Sequence, residues 1–180
     1  MRFLVLATTA LLSTAVTAKP FVNAQIGVGS DKANKVSIGY SVDKHSISLG
    51  YMASEGKSDK TYLDNSGNAT ERHETEAEFA TIDYSYILGS FDGFDMFLNA
   101  AIGVGNSDNT FIETEFSPST ETKTDSKHTA TYYGLHFGLS RTFESVDNLS
   151  LYGLVGIDSY DYETFDSGGL SGNIGLRYTF

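Results

Sequence analysis

The sequence has no cysteine and no tryptophan, and only two of its 180 residues are proline. Without thiols there is no disulfide framework, no cysteine-held zinc and no thiol nucleophile. Basic side chains are scarce as well: 12 Lys and Arg stand against 23 Asp and Glu, a formal charge of −11. A nucleic-acid surface needs Lys and Arg clustered against phosphate, so that class of partner is excluded. Beyond the first 20 residues no apolar run reaches the ~18 residues that a membrane-crossing helix needs. The length allows one domain, or two small ones. What is plentiful is glycine, with 18 residues.

Met1-Arg2 gives a positive start, residues 3–15 are apolar apart from Thr and Ser, and Val16-Thr17-Ala18 supplies acceptable residues before Lys19. This is the anatomy of a secretory signal, and residues 1–18 are expected to be cleaved off. The competing reading, a buried N-terminal helix, has no cap and meets Lys19-Pro20 abruptly. The segment carries one Arg and no acid, so 11 basic and 23 acidic groups remain, and residues 19–180 carry −12.

From Phe21 onward apolar residues recur at every second position. The runs are Val22 to Val28, Val36 to Val42, Ile47 to Tyr51, Ala80 to Leu88, Met96 to Val104, Tyr133 to Leu139, Leu149 to Ile157 and Leu170 to Phe180. Between them stand mostly Gly, Ser, Asn and Thr, with Ile87 as an exception. Eight such runs predict eight strands, each close to the ~9–11 residues that cross a bilayer when tilted. Connections 43–44, 90–93 and 144–147 are of hairpin length, 30–34 is short and 161–167 intermediate. Residues 54–75 and 106–126 are long and polar and are expected to be loops. Short turns at one end and long loops at the other describe an outer-membrane barrel.

In a narrow eight-stranded barrel the small and polar face suits the interior, and the branched and aromatic face suits lipid. Phe91, Phe94, Phe143, Tyr178 and Phe180 cluster beside the short turns, and Tyr51, Tyr133 and Tyr160 are expected at the opposite ends as a second aromatic girdle. The sequence ends Asn173-Ile174-Gly175-Leu176-Arg177-Tyr178-Thr179-Phe180, an alternating strand with a terminal Phe. With the Gly-punctuated strands (Ile38-Gly39-Tyr40, Leu49-Gly50-Tyr51, Gly134 to Gly138), residues 19–180 resemble the small eight-stranded outer-membrane β-barrels of Gram-negative bacteria. These are the opacity-protein-like and outer-membrane protein A/X-like group, or porin-family β-barrel domain. The resemblance implies an all-β, antiparallel, up-and-down transmembrane barrel in the cell outer membrane. It also implies an assembly signal at Ile174, Leu176, Tyr178 and Phe180, read by the barrel-assembly machinery. Roles in that group range from envelope integrity and adhesion to lipid A modification.

Candidates for chemistry are few. His45, His73, His128 and His136 are the residues able to exchange protons near neutrality, and no spacing predicts a nucleophile within the ~3 Å that catalysis needs. Asp83, His136, Asp158 and Arg177, with Asp95 as a further candidate, fall on the inward face and are expected to form an interior polar network, because an isolated buried charge is costly. Arg141 falls on the lipid-facing register near a turn, where it would snorkel. The acidic stretches lack the spacing of a calcium loop, and the Gly-x-Gly pairs precede no helix, so no metal or cofactor is expected. The expected function is a structural or surface-interaction role without catalysis. A narrow ion channel is the alternative, and a lipid A-modifying enzyme the third reading. Outer-membrane lipids and lipopolysaccharide are the expected surroundings, around a monomer.

Overall fold

The computed structural model describes residues 18–29, 31–64, 67–116, 119–143, 146, 148–162 and 166–180; the expected signal segment lies almost wholly outside them. Eight antiparallel strands form a closed ring in chain order: β1 (Lys19–Gly29), β2 (Asp31–Val42), β3 (His45–Asp64), β4 (Gly67–Phe91), β5 (Phe94–Phe116), β6 (Ser119–Thr142), β7 (Leu149–Asp161) and β8 (Asp166–Thr179). The ring closes where β1 pairs with β8, from Phe21 opposite Thr179 to Gly29 opposite Ser171.

The pairing fixes the shape of the ring. Following opposite residues from Asn23 through Ser37, Gly50, Thr81, Gly103, Tyr132 and Tyr160 leads to Ser167 on β8. Asn23 itself faces Arg177 on that strand, so one circuit climbs from Arg177 to Ser167, ten residues. Such a stagger tilts the strands by roughly 40° and leaves an interior that side chains alone fill.

Alternation sorts the side chains as the sequence suggests. Ile26, Val36, Leu49, Ile102, Leu135, Val155 and Ile174 are all more than half exposed on the outer wall, while Ser37, Ser48, Thr81, Asn99, His136 and Asn173 are buried inside. A water-exposed surface this apolar all the way round a ring is untenable, and in a bilayer it is what a β-barrel needs. Ile87 keeps the inward parity of Asp83 and Ser85 and is an apolar residue on the inner face, and just after it the β4–β5 register shifts between Ile87 and Gly89. Leu88 is the extra residue of this bulge, and Ile87 packs against Phe97, Tyr152 and Leu154. At the short-turn rim, Asp92 and Gly93 both have positive φ, as a tight two-residue hairpin requires.

Besides the expected connection 30–34, of which residues 31–34 belong to β2, two sequence expectations change. Tyr160 is 1 % exposed; it shares the inward parity of Asp158 and is not a girdle residue. Tyr51 and Tyr133 do face outward at the upper edge, and Phe91, Phe94, Phe143, Tyr178 and Phe180 do so at the lower one. The second change is larger. Residues 54–75 and 106–126 are mostly strand: β3 pairs with β4 out to Asp64–Gly67, β4 with β5 to Ala69–Glu115, and β5 with β6 to Phe116–Ser119. Both faces of this extension are polar over much of its length, so it lacks the apolar period that marks a strand in sequence. Its Thr content favours extended backbone nonetheless.

Depth along the wall makes a test. Val155 lies near the middle of the apolar belt, whereas Leu151 is four residues nearer the short turns and opposite the outward-facing Arg141. Val155→Arg should cost about 2–4 kcal/mol in reversible folding into lipid, and Leu151→Arg about 0–1 kcal/mol. Equal costs would contradict the placement of the belt.

Candidate functional site: a filled lumen beneath a projecting sheet

The lumen is filled in layers. Nearest the short turns, Phe21, Phe97, Tyr152 and Leu154 are buried, with the Phe97 and Tyr152 rings edge-on at 6.5 Å. Arg177 sits among them, its guanidinium 4.4 Å from the centre of the Phe21 ring and its Nε donating to Asn23 at 3.0 Å. A guanidinium over a ring face is attracted by the ring quadrupole, more strongly when both are desolvated. The layer depends on glycine. A Cβ on Gly39 would meet Phe21, one on Gly138 would meet Phe97, and one on Gly175 would meet Tyr152. Each ring therefore lies against a strand that has no side chain at that point.

Above this layer lies a polar one. Lys35 and Asp83 form a buried ion pair, with Thr81 near the carboxylate at 3.5 Å. Asn99 donates to Ser85 at 3.0 Å, and Asn23 to Ser37 at 3.2 Å. The void left between the residues of these two layers is about 20 Å³, room for about one water molecule. Higher again, His136 Nε2 is 3.0 Å from Asp158 Oδ1 and 3.2 Å from the Ser171 hydroxyl, and Tyr132 donates to the same Asp158 oxygen at 2.8 Å. The third layer is aromatic: Tyr132 and Tyr160 at 5.1 Å, Phe79 about 6 Å from both, and Tyr162 stacked on Tyr160 at 5.8 Å.

The four inward residues picked out from sequence thus lie inside the ring, but their direct contacts fall in three groups. Asp83 meets Lys35, His136 meets Asp158, and Arg177 meets Asn23 and Phe21. Asp95 is half-buried and accepts from Ser90 near the short-turn rim. Lys35 was not among the expected residues, although its parity with Ser37 and Gly39 marks it as inward. Ser171 was also missed, and it supplies the hydroxyl beside a histidine that spacing did not foresee. This Ser, His and Asp trio is not arranged as a relay. Serine and carboxylate both approach Nε2, whereas a relay needs the carboxylate on Nδ1, and the Nδ1 of His136 is buried without a partner.

The other histidines lie elsewhere. His45 is exposed at the lower edge, 2.7 Å from the Tyr84 hydroxyl. His128 borders a groove above the belt, and the side chain of His73 is outside the described residues. Arg141 is exposed with its guanidinium 5.0 Å from the Phe94 ring centre.

Beyond the upper edge of the belt, β3 to β6 continue as a four-stranded sheet. β2 last pairs with β3 at Asp31–Gly56, and β7 last pairs with β6 at Asp161–Thr131. The 13 residues from Met52 to Asp64 make roughly 40 Å of strand. On its outer face a groove of about 650 Å³ is lined by Glu55, Glu76, Glu78, Asp108 and Lys127, among others. Glu55, Glu76 and Asp108 stand directly opposite one another, and Lys127 closes the row 3.2 Å from Asp108. Farther out, the Thr110 hydroxyl donates to Asp125 at 2.8 Å and, with Lys123 adding to it, holds that carboxyl below its usual range. Among the described residues no group of three or more His, Asp or Glu is placed to hold a metal ion.

No family profile matches the chain, and no curated protein matches it in sequence. In three dimensions it matches a major outer membrane protein from Thermus thermophilus, with a TM-score of 0.56 at 14% identity, over 91% of this chain and 99% of that one. The N-terminal β-barrel domain of Pseudomonas aeruginosa OprF matches with a TM-score of 0.48 at 16% identity, over 91% and 98% of the two chains. Neisserial surface protein A gives 0.42 at 13%, over 91% and 96%. At such identities the likeness is one of fold: the chain has the architecture of a small eight-stranded outer-membrane β-barrel.

The Lys35–Asp83 pair should behave as a unit. Lys35→Met leaves a buried carboxylate uncompensated and should cost about 3–5 kcal/mol in urea unfolding from lipid, while Lys35→Met with Asp83→Leu should recover most of that loss. A double variant as unstable as the single one would show that the pair does not account for the cost.

Proposed function

We propose that this integral outer-membrane β-barrel is a non-catalytic surface-interaction protein, its ring a closed anchor and its projecting sheet the part that meets partners outside the cell. The observation that carries the reading is that sheet. Four strands leave the membrane together and in register, while the other four stop near its boundary. By the usual asymmetry of such barrels the long hairpins face outward and the short turns face the periplasm. The filled lumen supports an anchor over a channel. Aromatic layers lie above and below the charged one, and a recess of about 340 Å³ on the periplasmic side is floored by Phe97, Tyr152 and Arg177. The approach of serine and carboxylate to one histidine nitrogen supports binding over catalysis.

Lipopolysaccharide and phospholipid surround the belt in this reading, with a monomeric barrel in its own membrane. Ile174, Leu176 and Tyr178 point outward on β8, as does Phe180 just beyond its end, where it packs edge-on against Tyr178 at 5.1 Å. We assign to them the signal that the barrel-assembly machinery reads. Phe180→Asp should therefore lower the heat-modifiable, folded fraction in the outer membrane far more than an equally polar change in residues 109–127. Wild-type levels of folded protein would remove that assignment.

The function itself is tested by shortening both hairpins, deleting residues 58–73 and 111–124, in a surface-exposing Gram-negative host. The shortened protein should still fold and shift on a gel, yet lose the adhesion that wild type confers to matrix-coated surfaces or to other cells. Unchanged adhesion would overturn the proposal. Unitary currents from the wild type in planar bilayers would replace it with the channel reading.

A further inference from the structure

The projecting sheet has an open edge whose partner can be read from its own residues. β6 pairs with β7 only up to Thr131, and from there to Ser119 its described partner is β5 alone. Along these twelve residues every second one turns its backbone N–H and C=O to the side away from β5. Such an edge is a template for another strand. Lysines usually blunt it, and Lys123 and Lys127 stand here, but Asp125 lies between them on the same outer face. These three side chains are well exposed, at 57 %, 84 % and 67 %.

We propose that this edge pairs with the same edge of a second copy, antiparallel, about a two-fold axis at Thr124, and that the second copy sits in a facing membrane. The proposal rests on the surface-interaction reading and names its partner as another molecule of this chain. Three observations carry it.

The first is charge. In an antiparallel pair like charges directly opposite are unfavourable and unlike charges favourable. Centred on Thr124, the register sets Lys123 against Asp125 of the other copy twice over, and puts the backbone position of Glu121 opposite Lys127. Centred one face-preserving step lower, on Lys123, it sets Lys123 against itself. Centred one step higher, on Asp125, it sets Asp125 against itself and Lys123 against Lys127.

The second observation is length. Thr124 lies half a residue from the middle of the stretch 119–130, so the favourable register also pairs residues 119 to 129, all but one of that stretch. The open edge of β3, residues 57–64, offers no such match, because its two face-preserving registers nearest the centre, on Lys60 and on Thr61, bring no opposite charges together.

The third observation is orientation. An antiparallel pair that keeps both outer faces on one side has its axis normal to the sheet. The sheet continues the barrel wall, so that normal is radial and lies in the membrane plane. A half-turn about it inverts the second barrel, which places its membrane opposite the first. Two copies upright in one membrane, related by a half-turn about its normal, would instead turn their outer faces to opposite sides, so that Lys123 of one could not meet Asp125 of the other.

The chain has no cysteine, which makes the axis directly testable. Thr124→Cys protein is placed in two populations of phosphatidylcholine vesicles, tagged in one and untagged in the other, which are mixed under a mild oxidant. Opposed residues of antiparallel strands lie about 4.5–5.5 Å apart at Cα, within the span of a disulfide. Dimers joining tagged to untagged chains are expected, with a clear loss of them for Thr122→Cys, which the register places opposite Ser126. In the cysteine-free protein, Lys123→Glu alone or Asp125→Lys alone should abolish vesicle clustering measured by light scattering, and the two together should restore it. Dimers confined to one vesicle population, equal cross-linking at 122 and 124, or no restoration by the double exchange would overturn the proposal. If the hairpin-shortened protein loses adhesion to other surfaces while these results are negative, the pairing fails and the surface-interaction reading stands. If shortening changes nothing, the fault lies with that reading.

Discussion

Every backbone N–H and C=O inside a bilayer must find its partner within the protein, and for strands the one way to do so is to close the ring. The seam between β1 and β8 is therefore the contact on which everything else depends. It sets the circuit that climbs from Arg177 to Ser167, which fixes the strand tilt and through it the width of the interior. Lys35 on β2 can reach Asp83 on β4 because the interior is narrow, and Tyr160 lies on Tyr132 because the closed register sets the two directly opposite on β7 and β6.

A narrow interior also explains the glycines. Phe21, Phe97 and Tyr152 could not all be accommodated if the strands facing them carried side chains, so Gly39, Gly138 and Gly175 are the other half of the aromatic layer. The same relation holds higher up, where a Cβ at Gly134 would collide with Tyr132, His136 and Asp158. Large inward rings and bare backbone are distributed so that the summed volume fits. Charges are admitted on similar terms: each is held by a named partner, Lys35 with Asp83, His136 with Asp158, and Arg177 between an amide and a ring.

Much of this was legible in the sequence, because period-two alternation is a direct record of which face meets lipid. The inward assignment of Asp83, His136, Asp158 and Arg177 follows from parity alone. Tyr160 was misplaced because its ring suggested the membrane boundary, although its parity with Asp158 pointed inward. Lys35 was overlooked for lack of an apolar contrast, standing among Asn34 and the polar start of β2. The projecting sheet was invisible for a more basic reason. Where both faces of a strand meet water, no alternation is imposed, and Ser- and Thr-rich segments look alike whether they are strand or loop. Which groups touch across the lumen was not legible at all, since it depends on the stagger of the ring.

The extension of β3 to β6 has a mechanical consequence. Inter-strand hydrogen bonds in an antiparallel sheet lie across the strands, so a force applied to the tip of a hairpin and directed away from the membrane runs along them. Such a load strains the bonds to neighbouring strands side by side instead of parting them one after another like a zip. β3 and β4 are joined over 20 residue pairs without a break in register, and both are rooted in the ring. The projecting sheet is therefore built to stand tension, with the barrel as its footing.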